Sequence, residues 1–157
     1  DLEQYSRRNC VELQGIPEAN NESVVQIVKD VGKALNVNIA DDMIDVCHRV
    51  GSKDNPSRPR GIIVKFVRRT DKELLINKRR EKRQDFSTRH IGLAVDKPIF
   101  VNESLSPARR RLLGQAREVK KTRNIKYLWL RGGNILMRVS DGSPAIEIKS
   151  AADLENL

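Results

Sequence analysis

Three consecutive arginines, Arg109, Arg110 and Arg111, follow Ser106-Pro107, a strong start for a helix with Ser at the N-cap and Pro at the first position. Cations in a first turn oppose the helix dipole, at about 0.3–1 kcal/mol each when exposed. A chain selected for stability alone would place Asp or Glu there. Phosphate contact is the favoured reading; the alternative is a solvated face with Leu112 packing behind it.

A second constellation lies nearby. Tyr127, Trp129 and Arg131 alternate along a strand, and Leu128 and Leu130 point the other way. With the leucines inward, Tyr127 and Trp129 form an outward aromatic pair beside Arg131. Stacking a base on such a ring contributes about 1–3 kcal/mol and tolerates any sequence. Trp129 in the core of a small domain is the alternative. Arg49 and Arg60 fall on neighbouring strands and could flank a groove with Lys65. Lys78, Arg79, Arg80, Lys82 and Arg83, and further on Lys120, Lys121 and Arg123, are either phosphate contacts or ordinary basic helix ends.

These residues belong to one charged block. Residues 58–131 hold 22 Lys+Arg against 7 Asp+Glu, while both flanks are net acidic and the whole chain is +9. The block also carries helix and strand patterns, so it is no solvated tail. Folded surface with this excess repels itself unless a polyanion neutralises it, and nucleic acid is the commonest one. Aromatics make up 4% of the chain, too few for a wide stacking surface.

Other chemistry finds little support. Asp41, Asp42 and Asp45 suggest a metal-dependent nuclease, but no partner carboxylates stand at catalytic spacing. Cys10 and Cys47 lack CxxC spacing and read as reduced core or sheet residues; His48 reads as a packed strand residue. No nucleophile–base pair and no phosphate-cradling glycine loop occurs. The expectation is a protein with no catalytic residues, no metal, no cofactor and no enzymatic activity. No run reaches the roughly 18 apolar residues of a membrane helix. No secretory signal is visible and the chain opens on Asp1, so it reads as a fragment of an intracellular protein, cytoplasmic or nuclear.

The elements that must position these groups follow from periodicity. Strands are expected over 9–15, 44–50, 61–67 and 99–101, and a helix over 24–35. A second helix should start at a capping box, Thr70 with Glu73, and run into the basic 78–83 segment. Val11, Leu13, Ile62, Val64 and Phe66 should face the core. The order βαββαβ predicts a four-stranded antiparallel sheet with two helices on one face, the topology of RNA-recognition modules. Residues 52–59 form a polar loop. Beyond it come a helix with a stripe of Leu105, Ala108, Leu112, Ala116 and Val119, strands over 125–130, 134–139 and 145–149, and a short helix capped by Ser150. Arg131-Gly132-Gly133-Asn134 is a hairpin turn. The fold class is α+β: a non-standard RNA-recognition-like βαββαβ sandwich over 9–104 and a small α+β domain over 105–157, with 1–8 as the end of an upstream helix.

Base readers of this topology stack bases on aromatics of the two central strands. Here Glu12, Ile63 and Lys65 would stand on that face, so binding should shift to the basic helices and the second domain. The ordered set Asp1-Leu2-Glu3-Gln4-Tyr5-Ser6-Arg7-Arg8-Asn9, Gly15-Ile16-Pro17-Glu18, His48-Arg49-Val50-Gly51, Arg58-Pro59-Arg60-Gly61-Ile62-Ile63-Val64-Lys65-Phe66 and Phe100-Val101-Asn102-Glu103-Ser104-Leu105-Ser106-Pro107-Ala108-Arg109-Arg110 resembles the C-terminal region of the baculovirus few-polyhedra protein family and related insect retrotransposon-encoded proteins. It is similar, more distantly, to the first-open-reading-frame protein of LINE-type retrotransposons. The resemblance implies single-stranded nucleic-acid binding with strand annealing in a ribonucleoprotein, RNA contact by Ala108-Arg109-Arg110, and homo-oligomerisation through an upstream coiled coil. The expected partner is therefore single-stranded RNA or DNA. The competing expectation is a viral structural protein whose basic face meets an acidic protein or a membrane surface.

Overall fold

The computed structural model describes residues 2–53 and 57–157. The centre of the predicted 52–59 loop lies outside them. The described residues form a mixed α+β structure with five α-helices and two antiparallel sheets. Two compact units appear: Asn9–Ser104, and Leu105–Leu157 together with the N-terminal residues through Arg8.

The first unit contains β1 (Cys10–Gln14), α2 (Val24–Ala34), β2 (Ile44–Arg49), β3 (Ile62–Phe66), α3 (Arg69–Lys82) and β4 (Phe100–Glu103); α1 (Leu2–Ser6) precedes them. Its sheet runs β2-β3-β1-β4, with Val11 opposite Val64 and Glu103. The alternation predicted from sequence sends Val11, Leu13, Ile62, Val64 and Phe66 to one face, all at most 1% exposed. Val28 and Val31 of α2 and Leu75 and Ile76 of α3 join the same core, so both helices cover that face. Ser23 caps α2 by accepting from Gln26 N at 3.2 Å.

Gly32 lets α2 lie against the segment that follows it. A Cβ at Gly32 would come within 2.5 Å of Ile39 Cδ1 and 2.8 Å of the Val37 carbonyl oxygen. Gly32→Ala therefore forgoes the usual helix-propensity gain. It should lower the urea midpoint by an amount equivalent to about 1–3 kcal/mol.

Several boundaries differ from expectation. Helix α3 begins at Arg69 with Arg68 as its cap residue, so Thr70 lies inside the first turn and forms no capping box. Only Val67 and Arg68 separate β3 from α3, and that short connection brings the helix in early. Glu73 pairs instead with Arg69 at 3.3 Å, one turn back. Cys10 is buried and Cys47 half-buried, both free, in keeping with their reading as reduced core or sheet residues, and desolvation pushes the Cys47 thiol up.

The second unit contains α4 (Pro107–Thr122), β5 (Tyr127–Arg131), β6 (Asn134–Arg138), β7 (Ile146–Ile148) and α5 (Ala151–Glu155). Ser106 accepts from Arg109 N at 3.1 Å, with Pro107 first in the helix, as its sequence predicts. Leu112, Leu113, Ala116 and Val119 pack inward, whereas Ala108 of the predicted stripe is exposed. The three strands form a sheet ordered β5-β6-β7. Ser150 is the N-cap residue of α5, as predicted, and the bonds that close it come from Asp153, which accepts from Lys149 N and Ser150 N at 2.7 and 3.2 Å.

Candidate nucleic-acid interface

The two units use their charge differently. Residues 9–104 contain 17 Lys+Arg and 14 Asp+Glu, and the described ion pairs occupy eight of those cations. Residues 1–8 and 105–157 contain 13 Lys+Arg and 7 Asp+Glu, with three described ion pairs. The net charge is therefore +6 on the second unit, 13 less 7, against +3 on the first, 17 less 14.

This corrects much of the groove predicted in the first. Arg49 pairs with Ile62 across the sheet and reaches the Arg60 carbonyl, but its side chain is only 5% exposed. Its Nε and Nη2 donate to the two Glu22 carboxylate oxygens at 2.9 and 3.0 Å, and Nη1 donates to the Ile16 and Arg60 carbonyls at 2.8 and 2.6 Å. Arg60 donates twice to Glu18 Oε1, at 3.0 and 2.5 Å. These bonds hold the Glu18 and Glu22 carboxyls below the usual range. Lys65 sits 3.8 Å from Asp45. A cation neutralised by its own protein's carboxylate attracts a phosphate less strongly, and the buried Arg49 is closed to one.

Helix α3 tells a similar story at its end. Arg79 donates from Nε to the Ile99 carbonyl at 2.8 Å and from Nη1 to the Arg83 carbonyl. Its guanidinium lies 5.8 Å from the Phe86 ring centre and 5.7 Å from that of Phe100. Burial pushes its pKa down. Arg79 is thus a staple between α3 and the chain entering β4. Arg80 and Arg83 are exposed, the latter in the left-handed region at φ 55°.

The second unit keeps the constellation that its sequence predicts. Leu128 and Leu130 pack against the core while Tyr127 and Trp129 stand on the opposite face. Trp129 is thereby excluded from the core. The register places Arg138 directly opposite Tyr127. Its guanidinium lies 5.8 Å from the Tyr127 ring and 5.9 Å from the Trp129 ring, bridging the two aromatics. Such contacts are attractive because the ring face is electron-rich. Tyr127 is also held by its hydroxyl, which donates to Asp141 Oδ1 at 2.5 Å, while Lys126 Nζ pairs with Asp141 Oδ2. The Lys126 and Tyr127 bonds hold the Asp141 carboxyl low.

Arg138 and Asp141 were absent from the sequence-based set. Arg138 was legible: Gly132 and Gly133 both adopt positive φ in a two-residue turn, which pairs Arg131 with Asn134 and hence Tyr127 with Arg138.

Of the three arginines at the start of α4, Arg109 turns back. Its Nη1 donates to the Gly133 carbonyl at 3.2 Å and lies 3.4 Å from Asn134 Oδ1, tying the helix start to the hairpin turn. That tie holds the first turn of α4 beside the turn that follows Arg131. Arg110, Arg111 and Arg131 are exposed; Lys121 is exposed and Lys120 half-buried further along α4.

The family described as Baculovirus FP protein domain 1 matches residues 8–101, and Baculovirus FP protein domain 2 matches residues 106–157. The chain belongs to the baculovirus FP protein family. That membership suggests a viral protein and agrees with the few-polyhedra resemblance in the sequence. No curated protein matches the chain. The aromatic–arginine ladder and the α4 arginines all fall in the second FP domain, and the self-neutralised arginines fall in the first. No described helix is long and apolar enough to cross a membrane.

Proposed function

We propose that this FP-family chain is a sequence-tolerant, non-catalytic binder of single-stranded RNA or DNA, and that the second unit carries the contact. The observation behind this reading is the outer face of the β5–β6 hairpin, where Arg138 bridges Tyr127 and Trp129. Bases stack there, and Arg131, Arg111 and Arg110 take phosphates at the turn end. Tyr127 to Arg131 spans about 13 Å of extended strand.

The first unit is read as a non-standard RNA-recognition-type fold, on the strand order β2-β3-β1-β4 and two helices on one face. Glu12, with its carboxylate accepting from Gln14 Nε2 at 2.5 Å, and Ile63 occupy the centre of the other face. A carboxylate there disfavours a phosphate strand, which is why the reading assigns the contact elsewhere.

The test is a titration of single-stranded RNA, single-stranded DNA and duplex at several salt concentrations. Affinity should fall with a log–log slope of about −0.7 per phosphate neutralised. Trp129→Ala should weaken binding by about 1–3 kcal/mol, and Arg131→Gln should make the slope shallower by about 0.7. A flat salt dependence, or a stoichiometric complex with an acidic protein in place of RNA binding, would refute the reading.

A further inference from the structure

Helix α1 packs in an inverted way. Its apolar residues are outside, with Leu2 88% and Tyr5 63% exposed, while Gln4 is buried at 5%. An amphipathic helix normally buries the leucine and tyrosine and leaves the glutamine in water.

The Gln4 side chain has specific work. Its Oε1 accepts from the backbone N–H of Ser106 at 2.8 Å, in a buried bond across 102 residues of sequence. Ser106 is fully buried, and Gln4 satisfies its backbone donor there. The amide of Gln4 also lies against the hairpin turn: a Cβ on Gly133 would come within 2.6 Å of Gln4 Nε2. Gly133 in turn accepts from Arg109, whose backbone N–H is capped by Ser106 Oγ. Gln4, Ser106, Arg109 and Gly133 therefore form a closed circuit of contacts. This circuit fixes the first turn of α4 against the turn end of β5, and so sets where Arg110 and Arg111 stand relative to Arg131.

We infer that Gln4 is a positioning residue for the nucleic-acid site, and that docking of α1 and binding of a nucleic-acid strand are thermodynamically linked. The inference rests on the function proposed above. A buried hydrogen bond contributes modestly to net stability, so removing its acceptor at Gln4 should shift the docking of α1. Linkage is reciprocal: whatever draws α1 away weakens nucleic-acid binding, and a bound strand holds α1 down by the same factor.

The test uses the full chain and a fluorescent single-stranded oligouridine, titrated at several salt concentrations. Gln4→Met keeps the side-chain length but removes the acceptor. It should bind about tenfold more weakly, with a log–log slope shallower by about 0.7–1.4, the loss of one or two phosphate contacts. Gln4→Glu retains an acceptor oxygen and should recover most of the slope. A weaker Gln4→Met complex with an unchanged slope would overturn the positioning role, because every phosphate contact would then survive in the molecules that bind. Unaltered binding by Gln4→Met overturns the linkage and leaves the proposed function standing; no binding by the unaltered protein overturns both. Should Gln4→Met unfold the second unit, amide exchange decides instead. The Ser106 amide of the unaltered protein should exchange more slowly with oligouridine bound, and equal rates would overturn the linkage.

Discussion

Replacing Arg49 with alanine should destabilise the first unit by about 3–5 kcal/mol and leave nucleic-acid affinity unchanged in whatever fraction stays folded. The sequence places Arg49 on the rim of a basic groove, and a groove residue would behave the opposite way. The structure decides through its partners. The guanidinium is spent on both oxygens of Glu22 and on the carbonyls of Ile16, Pro17 and Arg60. It fastens the loop between β1 and α2 to the ends of β2 and β3. Truncation leaves the Glu22 carboxylate, 15% exposed, beside carbonyls that have lost their donor. Arg49→Lys should rescue little, because an ammonium lacks the planar fork that spans two carboxylate oxygens.

The pH dependence provides a second reading of the same lock. The Arg49 hydrogen bonds hold the Glu22 carboxyl below its unfolded value, near about 4.3. A group depressed in the folded state contributes stability above its unfolded pKa and loses it as pH falls through the folded value. Urea midpoints of the unaltered protein should therefore decline as pH drops below about 4.3, and Arg49→Ala should flatten that part of the decline. Parallel acid limbs in the two proteins would contradict the assignment.

What was legible in the sequence depended on the range of the interaction. Alternation over five residues suffices to place Val11, Leu13, Ile62, Val64 and Phe66 inside, because a strand's two faces are fixed by its pleat. The outward pairing of Tyr127 with Trp129 was legible for the same reason, and a glycine turn of known length supplies the register that adds Arg138. Charge behaves differently. A run of basic residues counts cations but cannot say which of them a carboxylate will claim. Glu22 and Glu18 lie 27 and 42 residues from Arg49 and Arg60, and no local pattern points to either partner. Gln4 and Ser106 are farther apart still, and a polar residue in a short helix reads as surface. The α+β class, the strand faces and the hairpin register were therefore visible, and the division of the cations into bound and available ones was not.

Lys72→Met alone should be severely destabilising, by about 3–5 kcal/mol, yet Lys72→Met combined with Glu103→Leu should recover most or all of that loss. Lys72 is completely buried in the first turn of α3, and its Nζ lies 2.6 Å from Oε2 of Glu103, the last residue of β4, itself 8% exposed. A buried pair repays its desolvation only when further hydrogen bonds satisfy both groups. Here the Lys72 ammonium has no hydrogen bond of good geometry to supplement the charge contact among the described residues. The pair is thus costly to break from one side and inexpensive to replace from both. A double-mutant cycle in urea measures this directly, and a coupling energy near zero would show that the two groups do not depend on each other. Oligouridine binding is a useful control. Both residues lie in the first unit, so the folded double variant should keep the affinity and salt slope of the unaltered protein.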